Sequence, residues 1–160
     1  MRSFKPFASL LVVVSFTSAA LVAVTSAAPA GDACALLTPA QVGAALGASV
    51  GAGSYVTPTF KKTCTWKSTT SDGGYVTLML QDVGAFDGGK QLGQTPSKTM
   101  SVTSISGVGD DAYYLAVGDQ VGLIVKKGNV AFKVAVYAHE PAESKEAKEK
   151  TLAHQVLAGL

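Results

Sequence analysis

Three kinds of residue in this chain have types and spacings that chemistry can use. Gly47-Ala48-Ser49-Val50-Gly51 spells G-x-S-x-G, the turn that exposes a nucleophilic serine in an α/β-hydrolase sheet. Such an elbow needs a strand before it, a helix after it, and an acid and a histidine downstream. Here a helix-forming segment precedes it and the chain is short for that fold, so Ser49 reads as a loop serine. His139 stands beside Glu140 and Pro141 at the end of a strand-like run, and His154 lies on the terminal segment. Neither has a motif partner, and "HEPAE" is not the two-histidine zinc helix. Both read as surface histidines, and a catalytic role would need partners from distant sequence.

The stretch "GVGDDAYY", Gly107 to Tyr114, has the letters of a dinucleotide loop, with Ala112 in the third small position. That loop must open a helix whose N-terminus receives the pyrophosphate. "DDAYYLAV" instead has adjacent tyrosines and strand character, and Asp110 and Asp111 put negative charge where phosphate would sit. Asp110, Asp111 and Asp119 also lack calcium-loop spacing. The stretch is predicted to be a strand-to-strand turn. Gly107 and Gly109 supply unusual backbone angles, Asp110 caps the turn, and Tyr113 or Tyr114 packs inward. No cofactor is expected. Among the aromatics, Trp66, Tyr113 and Tyr114, with Tyr55 and Tyr137, are candidates to line a cleft; half-buried strand aromatics are the simpler account.

Both cysteines, Cys34 and Cys64, fall in the part of the chain that an export signal would deliver. The first thirty residues have the pattern of that signal. Arg2 and Lys5 form a positive start, Phe7 to Val24 is uncharged and mostly apolar, and Ala28-Pro29-Ala30 fits a processing site. Cleavage is expected between Ala27 and Ala30. The apolar run is also near the length of a membrane anchor, but the small residues after it favour removal. Cys34 follows Gly31-Asp32-Ala33, which lacks the leucine of a lipidation signal. An exported chain, secreted or periplasmic and with no stable anchor after cleavage, is the expectation. A cysteine pair in an oxidising compartment reads as one disulfide; the alternative, a metal pair, lacks histidines at ligand spacing.

Beyond the leader, eleven lysines face eleven acids, so the formal positive charge belongs to Arg2 and Lys5. No basic cluster exceeds Lys61-Lys62 and Lys126-Lys127, which disfavours nucleic acid as a partner. Residues 31–160 suffice for one domain with one core.

The elements that must position these residues follow from periodicity. "LLTPAQVGAALG" carries a helix: Thr38 caps, Pro39 takes the first position, Gln41 completes a capping box, Leu37 and Val42 form a staple and Gly47 stops it. The following run to Lys62 reads as loop. "TCTWKS" and "YVTLMLQD" alternate around the turn "TSDGG" and make a hairpin with Val76, Leu78 and Leu80 inward. Residues 83–100 are rich in glycine and polar residues. Phe86 and Leu92 anchor a loop or an imperfect helix there, with Gly88 and Gly89 counting against the helix. "SVTSIS" and "DDAYYLAV" are strands, and Val121, Leu123 and Val125 alternate into a tight turn at Lys126–Asn129. Val130, Phe132, Val134 and Val136 return from it. The last segment is a helix, with Lys145/Glu149 and Glu146/Lys150 as i,i+4 pairs on a solvated face and Leu152, Val156 and Leu157 on the apolar side. Hairpins without βαβ crossovers give an α+β domain. Its sheet is mainly antiparallel, with a short N-terminal helix and a C-terminal helix on one face.

Taken together, Cys34-Ala35-Leu36-Leu37-Thr38, Cys64-Thr65-Trp66 and Gly107-Val108-Gly109-Asp110-Asp111-Ala112-Tyr113 resemble a family of small exported bacterial domains of unknown function. The family is common in actinobacteria, many of its members are lipoproteins, and it is similar to the broader PsbP-like fold. The resemblance spans Asp32 to Leu160 and implies a disulfide from Cys34 to Cys64 and a binding or accessory role at the cell envelope. The absent lipidation signal is a departure from it. The leading expectation is therefore a non-catalytic binding or accessory domain whose partner is an envelope protein or a small ligand. Two others stand beside it: a small hydrolase using Ser49 or a histidine, and a carrier of a hydrophobic ligand enclosed by the sheet and residues 83–100.

Overall fold

A single cystine holds the start of the domain to its sheet. In the structure, a computed structural model, residues 31–160 are described, and the export signal read over residues 1–30 lies outside them. Cys34 and Cys64 are joined, with Cα atoms 5.0 Å apart. Asp32 caps the 3₁₀ turn Ala33–Ala35 and also accepts the Tyr55 hydroxyl (2.8 Å). The first helix, α1, runs Pro39–Leu46 with the full capping box. Thr38 Oγ1 accepts from the Gln41 N–H (3.2 Å), and the Thr38 N–H donates to Gln41 Oε1 (2.8 Å). Leu37 and Val42 are both buried, and Gly47 ends the helix with φ of 71°.

Seven strands follow, all antiparallel to their neighbours: β1 Ser54–Thr57, β2 Phe60–Lys67, β3 Tyr75–Gln81, β4 Met100–Ile105, β5 Asp111–Val117, β6 Gln120–Lys127 and β7 Val130–Tyr137. Their order across the sheet is β1-β2-β3-β7-β6-β5-β4. A meander of three strands and a meander of four therefore meet where β3 pairs with β7. The long terminal helix α3, Ala142–Gly159, packs with α1 on one face. This is the α+β arrangement expected.

Two expectations need correction. The run after α1 is not all loop, because Ser54–Thr57 pairs with β2 through a register irregularity between Tyr55 and Thr57. Residues 83–92 form a regular helix, α2 (Val83–Leu92), capped by Asp82. Phe86 anchors it and is fully buried, whereas Leu92 remains 56% exposed. The glycines did not prevent the helix because burying one phenylalanine contributes about 2–3 kcal/mol, and Lys90 adds an ion pair to Asp111 (2.6 Å).

Helices therefore lie on both faces. On one, α1 and α3 cover Val76, Leu78, Leu123, Phe132 and Val136; on the other, α2 covers Tyr113, Ile124 and Ala131. Residues Val121 to Val125 are consequently all buried, although only alternate ones face α3. The charged run on α3 is corrected as well. Lys145 and Glu149 are buried and do not pair with each other. Lys145 Nζ donates to the Asp119 carbonyl (2.7 Å), and Glu149 Oε1 accepts the Val136 N–H (2.9 Å). Val136 has that N–H to give because β6–β7 pairing stops at Leu123–Val134.

Candidate functional site

The residues with chemical potential are scattered by this fold. Ser49 is exposed after α1, in a shallow depression lined by Pro39, Ala40, Gly43, Gly47, Ala48, Ser49 and Val50, with no histidine or acid on its wall. Its carbonyl accepts the Thr69 N–H (2.9 Å) and the Thr69 hydroxyl (3.2 Å), so the backbone of Ser49 braces the β2–β3 loop. His154 is exposed on α3. Among the described residues no group of three or more His, Cys, Asp or Glu side chains is placed to hold a metal ion.

Within Gly107–Tyr114, residues 107–110 form the turn between β4 and β5, and Asp111–Tyr114 open β5. Gly107 and Gly109 have φ of 81° and 63°, as the turn reading requires. Asp110 caps a different turn from the one expected. Its carboxylate accepts the Gly128 N–H (2.8 Å) and Lys127 Nζ (2.7 Å) across the β6–β7 hairpin. Those bonds, the Gly128 N–H first, hold its carboxyl below the usual range. Charge partners for the two aspartates come from β6 and α2: Lys127 pairs with Asp110 and Lys90 with Asp111. Tyr113 and Tyr114 both turn inward, on opposite faces. The Tyr113 hydroxyl donates to the Phe86 carbonyl (3.1 Å) and the Tyr114 hydroxyl to the Glu146 carbonyl (2.8 Å). Burial pushes the Tyr114 phenol up to about 12. Trp66, Tyr113 and Tyr114 are core residues, not the wall of a cleft, because period-2 alternation directs each under a helix.

The accessible chemistry gathers instead at one end of the sheet, where the β2–β3 loop, the β5–β6 turn and the β7–α3 connection lie together. Gly74 (φ 72°) approaches the Tyr137 carbonyl so closely that no side chain fits there. That approach sets Tyr75 opposite Tyr137, and their rings stack with centroids 4.4 Å apart and planes 9° apart. Tyr75 remains 38% exposed.

Three clefts adjoin along this end. One of about 700 Å³ lies between Thr65, Lys67, Ser68, Thr70 and Tyr75. One of about 330 Å³ lies between Asp72, Tyr75, Gln120, Tyr137 and His139. The third, about 760 Å³, is bounded by Asp119, Gln120, His139, Glu140, Lys145 and Glu146. Ser71, Gly74 and Tyr75 border both the first and the second, and Gln120, Ala138 and His139 both the second and the third. Together the three clefts make a groove of mixed polar and apolar lining, each part of which is in the volume range of small-molecule sites.

Within the groove some groups are committed. Glu140 pairs with Lys148 and accepts from Ser144, and these bonds lower its pKa, the Lys148 bond most. Ser68 and Thr70 bond to each other (2.9 Å). Among the described residues, the side chains of Lys67, Ser71, Asp72, Gln120 and His139 have no internal hydrogen bond or ion pair. Of the candidates read from sequence, His139, Tyr137 and Asp119 reach this groove. Tyr75 was missed, although its parity opposite to inward-facing Val76 and Leu78 marks it as outward.

Comparison with protein-family profiles, curated proteins and solved structures finds no match to this chain.

Proposed function

We propose that the chain is an exported, non-catalytic binding or accessory domain of the cell envelope, and that the groove at the end of the sheet is where it binds. The observation that carries this reading is the set of uncommitted polar side chains around a stacked tyrosine pair, of which Tyr75 is exposed and Tyr137 half-buried. Fixed aromatic faces and free donors and acceptors hold a ligand at low ordering cost. The Cys34–Cys64 cystine supports an oxidising compartment, and among the described residues no helix is long and apolar enough to cross a membrane. The motif resemblance to small exported bacterial domains supports the same reading. Its partner is an envelope protein or a small ligand and not nucleic acid, since the groove carries acids as well as lysines.

The carrier reading depended on an apolar cavity between the sheet and residues 83–100. Phe86 occupies that space, tilted at 58° against Tyr113 with centroids 5.0 Å apart. The hydrolase reading uses Ser49 or a histidine; Ser49 lies in a different depression from His139.

Native mass spectrometry of the exported protein purified from its host tests the proposal. A bound species lost from a Gln120→Ala, His139→Ala variant is the expected result. Turnover in a hydrolase screen that disappears in Ser49→Ala would overturn it.

A further inference from the structure

Tyr75 and Tyr137 each spend one ring face on the other. Tyr75 borders both the cleft with Thr65 and Lys67 and the one with Gln120 and His139, and Tyr137 borders the second. An exposed aromatic face is apolar and electron-rich, and it suits a partner whose C–H bonds carry slight positive charge. The rim of the groove demands the opposite chemistry. Gln120 offers an amide that donates and accepts, His139 an imidazole, Asp72 an acceptor and Lys67 a donor. A purely apolar ligand would strip water from those groups and return nothing. In the two clefts that the tyrosines border, a strongly charged ligand would find one lysine, Lys67, opposed by one aspartate, Asp72.

One class of molecule matches both demands. A pyranose ring has an apolar C–H face and an equatorial rim of hydroxyls that donate and accept together. We infer that the groove binds a neutral oligosaccharide, with sugar rings stacked on the outer faces of Tyr75 and Tyr137 and hydroxyls held by Gln120, His139, Asp72 and Lys67. An oligomer fits better than a single sugar, because the groove continues on both sides of the tyrosine pair. The geometry is pre-set: strand pairing fixes both backbones and the stack fixes both rings, so binding requires little ordering.

This inference rests on the binding role proposed above, and the experiment separates the two. Hexamers of β-1,4-linked glucose, of β-1,4-linked N-acetylglucosamine and of α-1,6-linked mannose, with polygalacturonate as the anionic control, are titrated calorimetrically into the oxidised exported protein. Saturable binding of at least one neutral hexamer is expected, with little binding of polygalacturonate. Tyr75→Ala should weaken it tenfold or more, Tyr75→Phe should retain it, and Gln120→Ala should weaken it several-fold. Gln120 is on the rim and its loss spares the stack, so its effect stands even where Tyr75→Ala fails to fold. Failure of every neutral hexamer to saturate, preference for polygalacturonate, or unchanged affinity in Gln120→Ala would overturn the saccharide assignment. A non-saccharide ligand that co-purifies and depends on Gln120 would overturn it too while leaving the binding role intact. Absence of any groove-dependent ligand would overturn both.

Discussion

Glu149 lies wholly inside the domain, with one oxygen bonded to the Val136 N–H and the other without a partner among the described residues. Burial is the largest influence on it and pushes its pKa from 4.5 to about 7, against the Val136 bond, which lowers it. Glu146 from the same helix raises it, while Lys145 of α3 and Lys133 of β7 lower it; Tyr114 of β5 sits one turn away through its bond to Glu146. The folded state therefore holds a proton that the unfolded state has released between pH 4.5 and 7. Stability should fall as pH rises through that window, by up to about 3 kcal/mol. Asp110 and Glu140 have lowered pKa values and act only in more acidic solution, where stability is lost as pH falls through their folded values. Urea denaturation across pH 4.5–8 checks the slope, which should flatten in Glu149→Gln; an identical slope in that variant would refute the assignment. Gly109 makes a second prediction at this scale. Its φ is positive, and a Cβ there would meet the Lys126 carbonyl at 2.6 Å. Gly109→Ala should cost about 1 kcal/mol or more, and an unchanged denaturation midpoint would contradict that account.

Among the elements, α2 is the one whose stability depends on a single contact. Gly84, Gly88 and Gly89 each weaken it by about 1 kcal/mol relative to alanine, and Phe86 is its only buried residue. Phe86→Ala should cost about 3–5 kcal/mol and release α2 while α3 keeps its cover. Hydrogen exchange should then show unprotected amides over 83–92 and protected ones over 149–156; retained protection in α2 would show that the Lys90–Asp111 pair suffices. The same element shows where sequence reading stops. Helix α1 was legible because Thr38, Gln41 and Gly47 act within a few residues of each other, and the β2–β3 and β6–β7 hairpins because alternation and turn residues are local. Helix α2 was not, because its support comes from Tyr113, Ile124 and Ala131 on strands laid down later. Gly89 illustrates this: it counts against a helix locally, yet it faces the Tyr113 hydroxyl where a side chain would collide. The buried pair Lys145 and Glu149 was misread for a related reason. A charge run gives no sign that strands β6 and β7 part and leave an N–H for one of its members. Part of the groove was readable, since outward parity exposes Tyr75 and Tyr137. Their stacking was not, because it depends on β3 meeting β7 across the chain.

For the whole molecule, the uneven cover of the sheet separates structure from function. One face is sealed by α1 and α3, the other only in part by α2, and the groove occupies the end that remains open. Over β2 the sealed face depends on a 3₁₀ turn and a two-turn helix, too short to hold themselves. The cystine ties that corner down. It closes a separation of 30 residues, a constraint on the unfolded chain of roughly 3–4 kcal/mol in the chain-entropy model, and reduction should lower stability by that amount. The same bond bears on how the protein is delivered. A sulfur shared with Cys64 is not free to carry a diacylglyceryl group, so on the export reading proposed above Cys34 should carry no lipid. The exported polypeptide should begin between Ala28 and Gly31, resist thiol labelling until reduced, and then gain only the hydrogens of reduction. Intact-mass spectrometry before and after reduction measures all of this on one sample. A retained Met1, two free thiols before reduction, or added diacylglyceryl mass on Cys34 would each show that the leader, the cystine or their linkage has been misread.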